Sequence, residues 1–304
     1  DAGGDQEVVV AVRSIDVGDT GTVVGLDLDG KCTCAGDGPS CIPPEWADPE
    51  ACDGPGGRDA RSSNAFRRIV ELTGAGGTAD FNATAVDGAW SLVVRVRGWN
   101  GAPDDDRVEV AVFPSDGLAD ADRPPAWDGE DRWPIPETAI ADGGAGLDDP
   151  RFVDRHGYVS GGVLVASLPE SELLFAGAST VVPVHFTAGF VTGRLEASPT
   201  GTALRDGVLA ARWRLTDIFR TLAALRIAGN AVCVGDPYYI GAKTVFCELP
   251  DITSALASPT AACDAVSVGI AFQAEPARLG DVMPVPPVES PCDPGEDPAD
   301  DTCP

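Results

Sequence analysis

The densest supply of hard oxygen ligands in the chain lies between residues 27 and 59. Calcium takes six to eight oxygens from carboxylates, amides, carbonyls and water. Asp27-Leu28-Asp29-Gly30 sets two carboxylates two residues apart, so on a strand end both project to one side. Asp53 and Asp59 stand beyond a cysteine-rich stretch, and closing that stretch with a disulfide would return them to the first pair. The first 60 residues hold 13 acids against 3 bases, a balance that a bound cation would relieve. The DxDG segment lacks the further spacing of an EF-hand loop, because Lys31 and Thr33 follow it. The competing reading is an Asp-Gly turn with solvated carboxylates. The candidate ligands are therefore Asp27, Asp29, Asp53 and Asp59, with calcium as the candidate ion. Asp104-Asp105-Asp106, Asp116, Asp120 and Asp122 are expected to be solvated.

Catalytic constellations are missing from the sequence: there is no GxSxG, HExxH or P-loop. His185 lies inside an apolar strand and is expected to be a satisfied sheet residue, and His156 a loop or strand-start residue. With 48 acids, a glycosidase-type carboxylate pair is always available on paper and carries no argument without geometry. No catalytic residue is assigned, and the residues leave open whether the protein is an enzyme, with a non-catalytic role favoured. Trp127 and Trp133, in an Asp/Pro/Gly-rich stretch, either pack that stretch onto the body or form a platform on which a glycan could stack.

Nine cysteines fall in two groups, Cys32, Cys34, Cys41 and Cys52, then Cys233, Cys247, Cys263, Cys292 and Cys303. No CxxC occurs and both histidines are distant in sequence, which disfavours zinc and favours disulfides in an oxidising compartment. Four is even and five is odd, so Cys303, nearly terminal, is the expected free thiol and the other eight are expected to pair.

The formal net charge is −27. Nucleic acid and anionic lipid surfaces need clustered Lys and Arg, so neither is an expected partner. No apolar run approaches the length of a transmembrane helix. The polar start Asp1-Ala2-Gly3-Gly4-Asp5 suits a chain trimmed of an export segment, with a lipidated cysteine upstream compatible.

These residues must be positioned by strands. With 36 Gly and 26 Pro, many short strands and turns are expected. Residues 7–13, 22–28, 90–97, 107–113, 158–167, 180–187, 189–196 and 265–274 read as strands. Two short helices are expected. One runs from a Ser62 or Ser63 cap through Phe66, Ile69 and Val70 to Gly74, and the other spans about 216–226 with Thr216 as cap. Cys233 and Cys247 bracket a turn at Tyr238-Tyr239. The fold class is mostly β, an antiparallel β-sandwich stabilised by disulfides, with laminin-G/concanavalin-like or jelly-roll-like sandwiches as fold-level analogies. One domain is expected over 1–284, with a possible division near 114–150, followed by an acidic Pro-rich tail over 285–304 that Cys292 could pin.

Five segments, VGLDLDG (24–30), CDGPGGRD (52–59), GWNGAPDDDRVEVAVFPS (98–115), GGVLVASLPE (161–170) and DGVLAARWRLTDIF (206–219), resemble a group of uncharacterised secreted bacterial proteins and lipoproteins. The resemblance spans roughly 20–283. It departs at Asp59-Ala60, where the group often has Asp-Asn, so the amide part of a carried-over metal site has no match here. It implies a secreted or cell-envelope location and one fold, and no activity. The function expected is a non-catalytic binding module for a glycan or another envelope protein, stabilised by calcium. A structural or assembly component of the envelope is the alternative, and an extracellular hydrolase is the least supported reading.

Overall fold

A computed structural model describes residues 4–18, 23–47, 52–61, 78–120, 123–177, 181–227, 229–255, 258–285, 290 and 292–304. In chain order the elements are β1 (Gln6–Asp16), α1 (Thr78–Val86), β2 (Ser91–Trp99), β3 (Asp105–Ser115), β4 (Arg132–Pro136), β5 (Val153–Ser160), β6 (Val163–Ala176) and β7 (Val181–Ser198). There follow β8 (Gly201–Arg214), α2 (Leu215–Ala224), the short pair β9 (Arg226–Ile227) and β10 (Asn230–Ala231), α3 (Pro237–Cys247), β11 (Ala265–Pro276) and β12 (Arg278–Met283). The expected helix capped by Ser62 or Ser63 lies outside the described residues.

The chain is mostly β and antiparallel, as its composition implies. Eight strands form one continuous sheet in the order β1-β11-β8-β7-β6-β5-β3-β2, and β1 closes it by pairing with β2. The two sides of the sandwich-like body are thus arcs of one closed ladder, so these eight strands include no edge strand. The second side sheet is parallel, β12 against β4, and it caps the body near Trp133.

Alternation builds the core. Val8, Val10, Val12, Val94, Val96, Val108, Val110 and Val112 are all buried and belong to one cluster. Helix α1 covers part of it: Phe81 meets Phe175 at 5.7 Å between ring centroids, and Trp90 donates its indole N–H to the Phe81 carbonyl at 2.9 Å.

Several strands differ from the sequence expectation. Residues 158–167 are two strands, because Gly161 and Gly162 both take positive φ (56° and 81°) and turn the chain between β5 and β6. Residues 180–187 and 189–196 are one strand, β7, with a bulge where Ala188 has φ 43° and the register to β8 shifts. Residues 201–214, which no strand reading covers, are β8. Residues 23–28 are not a strand: only Leu26 forms a bridge, to Asp59.

Helix α2 forms where its apolar stripe demands, with Ile218, Phe219 and Leu222 buried. Thr216 is not its cap. Arg214 holds that position without a side-chain cap, and Asp217 in the first turn gathers cations instead. The Tyr238-Tyr239 region is helical rather than a turn. Asp236 accepts from the Tyr238 amide and Pro237 opens α3.

Four disulfides tie the connections down: Cys34–Cys52, Cys41–Cys263, Cys233–Cys292 and Cys247–Cys303. Cys303 is therefore paired and Cys32 is the free cysteine, the reverse of the parity argument. That argument treated the two groups as closed. Cys41 crosses from one group to the other and moves the odd thiol with it. The described part of the C-terminal segment is held at two cysteines, and Asp301 accepts from Tyr239 Oη at 2.5 Å and pairs with Lys243 at 2.7 Å.

Candidate functional site

The loop that carries the acids is built onto the outer face of β8 and β11. Leu28 is buried against Ala210, Ile252 and Ala265, with Leu26, Phe190 and Val208 around them. Close approach is possible because β11 has a glycine at 269: a Cβ there would stand 1.8 Å from the Val24 carbonyl oxygen. The Cys41–Cys263 disulfide and backbone bonds from Ile42 N to Ala261 O and from Cys263 N to Ile42 O pin the outer end. The return limb is held by the Asp59 amide donating to Leu26 O and the Arg61 amide donating to Ser267 Oγ.

This construction brings Asp27, Asp29 and Asp59 together. One carboxylate oxygen from each lies within 4.8 Å of the others. Each acid also uses one oxygen to fix its own orientation: Gly30 N donates to Asp27 Oδ1 (2.7 Å), Lys31 N to Asp29 Oδ1 (2.8 Å) and Leu28 N to Asp59 Oδ2 (2.6 Å). Gly57 permits the packing beside them. It has φ 76°, and a Cβ there would meet the Lys31 carbonyl oxygen at 2.5 Å.

Asp59 is buried, with 3% of its surface exposed. Burial pushes its carboxyl up to about 8, against the Leu28 amide that favours the anion, and the neighbouring charges of Asp29, Asp251 and Asp53 push it further. Among the described residues no lysine or arginine pairs with Asp27, Asp29 or Asp59. The buried cation beneath them, Arg212, instead donates to the carbonyls of Leu28 (2.6 Å) and Ala188 (2.7 Å). Three carboxylates, one of them desolvated, thus converge with no ion pair among the described residues, although the Arg212 charge beneath is felt by Asp59 and Asp29, and their hard-oxygen donor set suits calcium.

Asp53 stands outside this trio. It accepts from the Thr33 amide at 2.6 Å. Burial raises its pKa, and the nearby Asp29 and Asp27 add to the rise. The Asp104–Asp106 knot is a turn device: Asp105 is buried and accepts from Asn100 N, and Asp104 accepts from Gly161 N. Trp133 is fully buried and offers no face to a ligand. Trp127 packs against it in a tilted arrangement at 5.7 Å between centroids, with the Arg13 guanidinium 5.5 Å from the Trp127 ring. The glycan platform suggested by these two tryptophans is replaced by packing.

No family model, curated protein or solved structure matches the chain. The reading of its sites therefore rests on its own geometry.

A second constellation escaped the sequence reading. His185 and Glu172 are direct cross-strand partners on β7 and β6, and they open into a cleft of about 690 Å³ with Asp217 of α2. His185 was expected as a satisfied sheet residue. Its Nδ1 does meet Asp217 Oδ2 at 3.3 Å, and this hydrogen bond raises the imidazole pKa. Its histidine was visible in the sequence, but the pairing register that gives it a glutamate partner was not.

Proposed function

We propose that this chain is a secreted or cell-envelope protein that works as a non-catalytic binding module, its outer loop closed by a calcium ion held by Asp27, Asp29 and Asp59. The observation that carries this reading is the convergence of three oriented carboxylates that no lysine or arginine contacts in an ion pair among the described residues. A cation there removes the repulsion and the cost of a buried carboxylate, and ties the two limbs of the loop together. Four disulfides support an oxidising compartment. The same loop region exposes Ile42 and Trp46, apolar side chains that suit a protein partner. With the two tryptophans of 127 and 133 packed inward, an envelope protein is a better-supported partner than a glycan.

Thermal unfolding of the non-reduced protein with calcium and then with excess chelator tests the reading. A ligand held only by the folded state raises Tm by mass action. Calcium is expected to raise Tm by several degrees, and Asp29→Asn to remove the saturating part of that rise. An unchanged Tm overturns the cation site and leaves a structural envelope component as the reading.

A further inference from the structure

The cleft between β6, β7 and α2 has apolar walls and one end rich in ionisable groups. Pro114, Pro136, Leu174, Val181, Pro183 and Ala224 form the walls, and Glu172, His185, Asp217, Arg220 and Asp116 line it as well. Its volume of about 690 Å³ lies in the range of sites that enclose a small organic molecule.

Hydrogen-bond accounting decides what that molecule must carry. Among the described residues, the cations that line or flank the cleft are already engaged with acids. Arg214 Nε donates to Asp217 Oδ2 at 2.6 Å, Arg220 NH1 to Asp217 Oδ1 at 2.8 Å, and His185 Nδ1 to Asp217 Oδ2. Asp217 is buried, and although burial works against its charge, the bonds from His185 and Arg214 hold its carboxyl below the usual range. Arg151, the other cation whose charge Glu172 feels, is bound to Asp142 at 2.6 Å. The hydroxyls of Ser115 and Thr221 donate to the carbonyls of Pro134 and Pro183, both at 2.7 Å.

The Glu172 carboxylate, half-buried on the cleft wall, has no hydrogen bond or ion pair among the described residues, a state shared only by the exposed Asp116 among the acids that line the cleft. Glu170, 3.9 Å from His185 Nε2, adds a second negative charge on the same face. Asp116 adds a third, more exposed, at the rim. A desolvated carboxylate beside apolar walls wants a donor that brings its own positive charge.

We propose that this cleft binds a small amphiphilic amine, its ammonium group donating to Glu172 and its hydrocarbon body lying along Leu174, Pro183 and Ala224. Burial holds the Glu172 carboxyl above its ordinary range while no cation is bound, the state that an ammonium ion would relieve. The cleft shares no residue with the Asp27–Asp29–Asp59 cluster, so the inference goes beyond the calcium reading and stands without it.

Saturation-transfer NMR and Tm shifts with hexylammonium, hexanoate and hexanol, all in excess chelator, test the proposal. Hexylammonium is expected to bind at least about tenfold more tightly than hexanoate or hexanol, as one charge-assisted hydrogen bond predicts. Each added methylene is expected to tighten binding about fourfold while it still fits the walls. Glu172→Gln should lose the preference for the amine while its apolar affinity and melting behaviour persist. Ala224→Phe, which fills the cleft from α2, should weaken all three probes. Equal or tighter binding of hexanoate, an undiminished amine preference in Glu172→Gln, or no binding of hexylammonium at millimolar concentration would each overturn it. Because chelator is present throughout, failure here is distinct from failure of the calcium site.

Discussion

Asp59 concentrates the chemistry of the outer loop in one carboxyl. Its pKa is about 8 in the fold because burial and three neighbouring acids oppose the anion, and it returns to near 3.8 on unfolding. Between about pH 4 and pH 8 the unfolded chain has lost this proton while the folded chain keeps it. The folded state then binds more protons, so in the absence of a cation stability falls as pH rises through this window. Asp251, held at about 6 chiefly by burial, adds a change of the same sign. Asp59→Asn removes the Asp59 contribution and keeps an oxygen for the Leu28 amide. In chelator, wild type is expected to lose stability from pH 4 to pH 8 by a few kcal/mol more than Asp59→Asn. With saturating calcium the wild-type loss should shrink, because the ion takes the place of the proton. Parallel Tm–pH curves for the two proteins in chelator would mean that Asp59 is ionised in the fold at all these pH values.

At the scale of elements, the loop over 23–61 depends on staples rather than on strand pairing. Leu26–Asp59 is a single bridge, and the loop's apolar anchor is small, with Leu28 the buried side chain that it contributes to its cluster. The Cys41–Cys263 disulfide joins residues 222 apart, and so removes more freedom from the unfolded chain than Cys34–Cys52, which spans 18. Replacing Cys41 and Cys263 together by alanine is expected to cost on the order of 3–5 kcal/mol and to weaken the calcium response, since the outer end of the loop loses its pin while the Asp59 and Arg61 amides still hold the return limb. Replacing Cys34 and Cys52 should cost less, which denaturant melts of the two variants would compare. What the sequence made legible follows the same division. Asp27 and Asp29 are local neighbours, and a loop closed through its cysteines could be expected to return Asp59 to them, although it does not bring Asp53 into the same group. The partner of Cys41 could not be expected, because nothing local to it points across 222 residues. Nor could the partnership of Glu172 with His185, which needs the register of two long strands. Gly161-Gly162 was a readable turn signal inside a run of apparent strand. Ala188, an ordinary residue at positive φ, gave no sign that two strand-like stretches are one.

The whole molecule carries a charge of −27, and a closed barrel fixes those charges at short range where the unfolded chain would let them separate. Net charge this far from zero destabilises the compact state through self-repulsion. Salt screens it, with a Debye length of about 10 Å at 0.1 M. Sodium chloride is therefore expected to raise Tm gradually in chelator at pH 7, and any divalent ion would raise it through screening alone. This general effect would imitate a binding site unless the two are separated. A site built from three oriented carboxylates saturates at a defined calcium concentration. It also keeps its increment in high salt to the extent that Asp59 is shielded from solvent, whereas diffuse screening by calcium disappears once sodium has already provided it. Tm measured against calcium at low and at high sodium chloride is thus expected to show a saturating rise in both, smaller in high salt, and Asp29→Asn should leave only the diffuse part. A calcium effect that vanishes entirely in high salt would assign it to the charge of the molecule as a whole and remove the three aspartates as its cause.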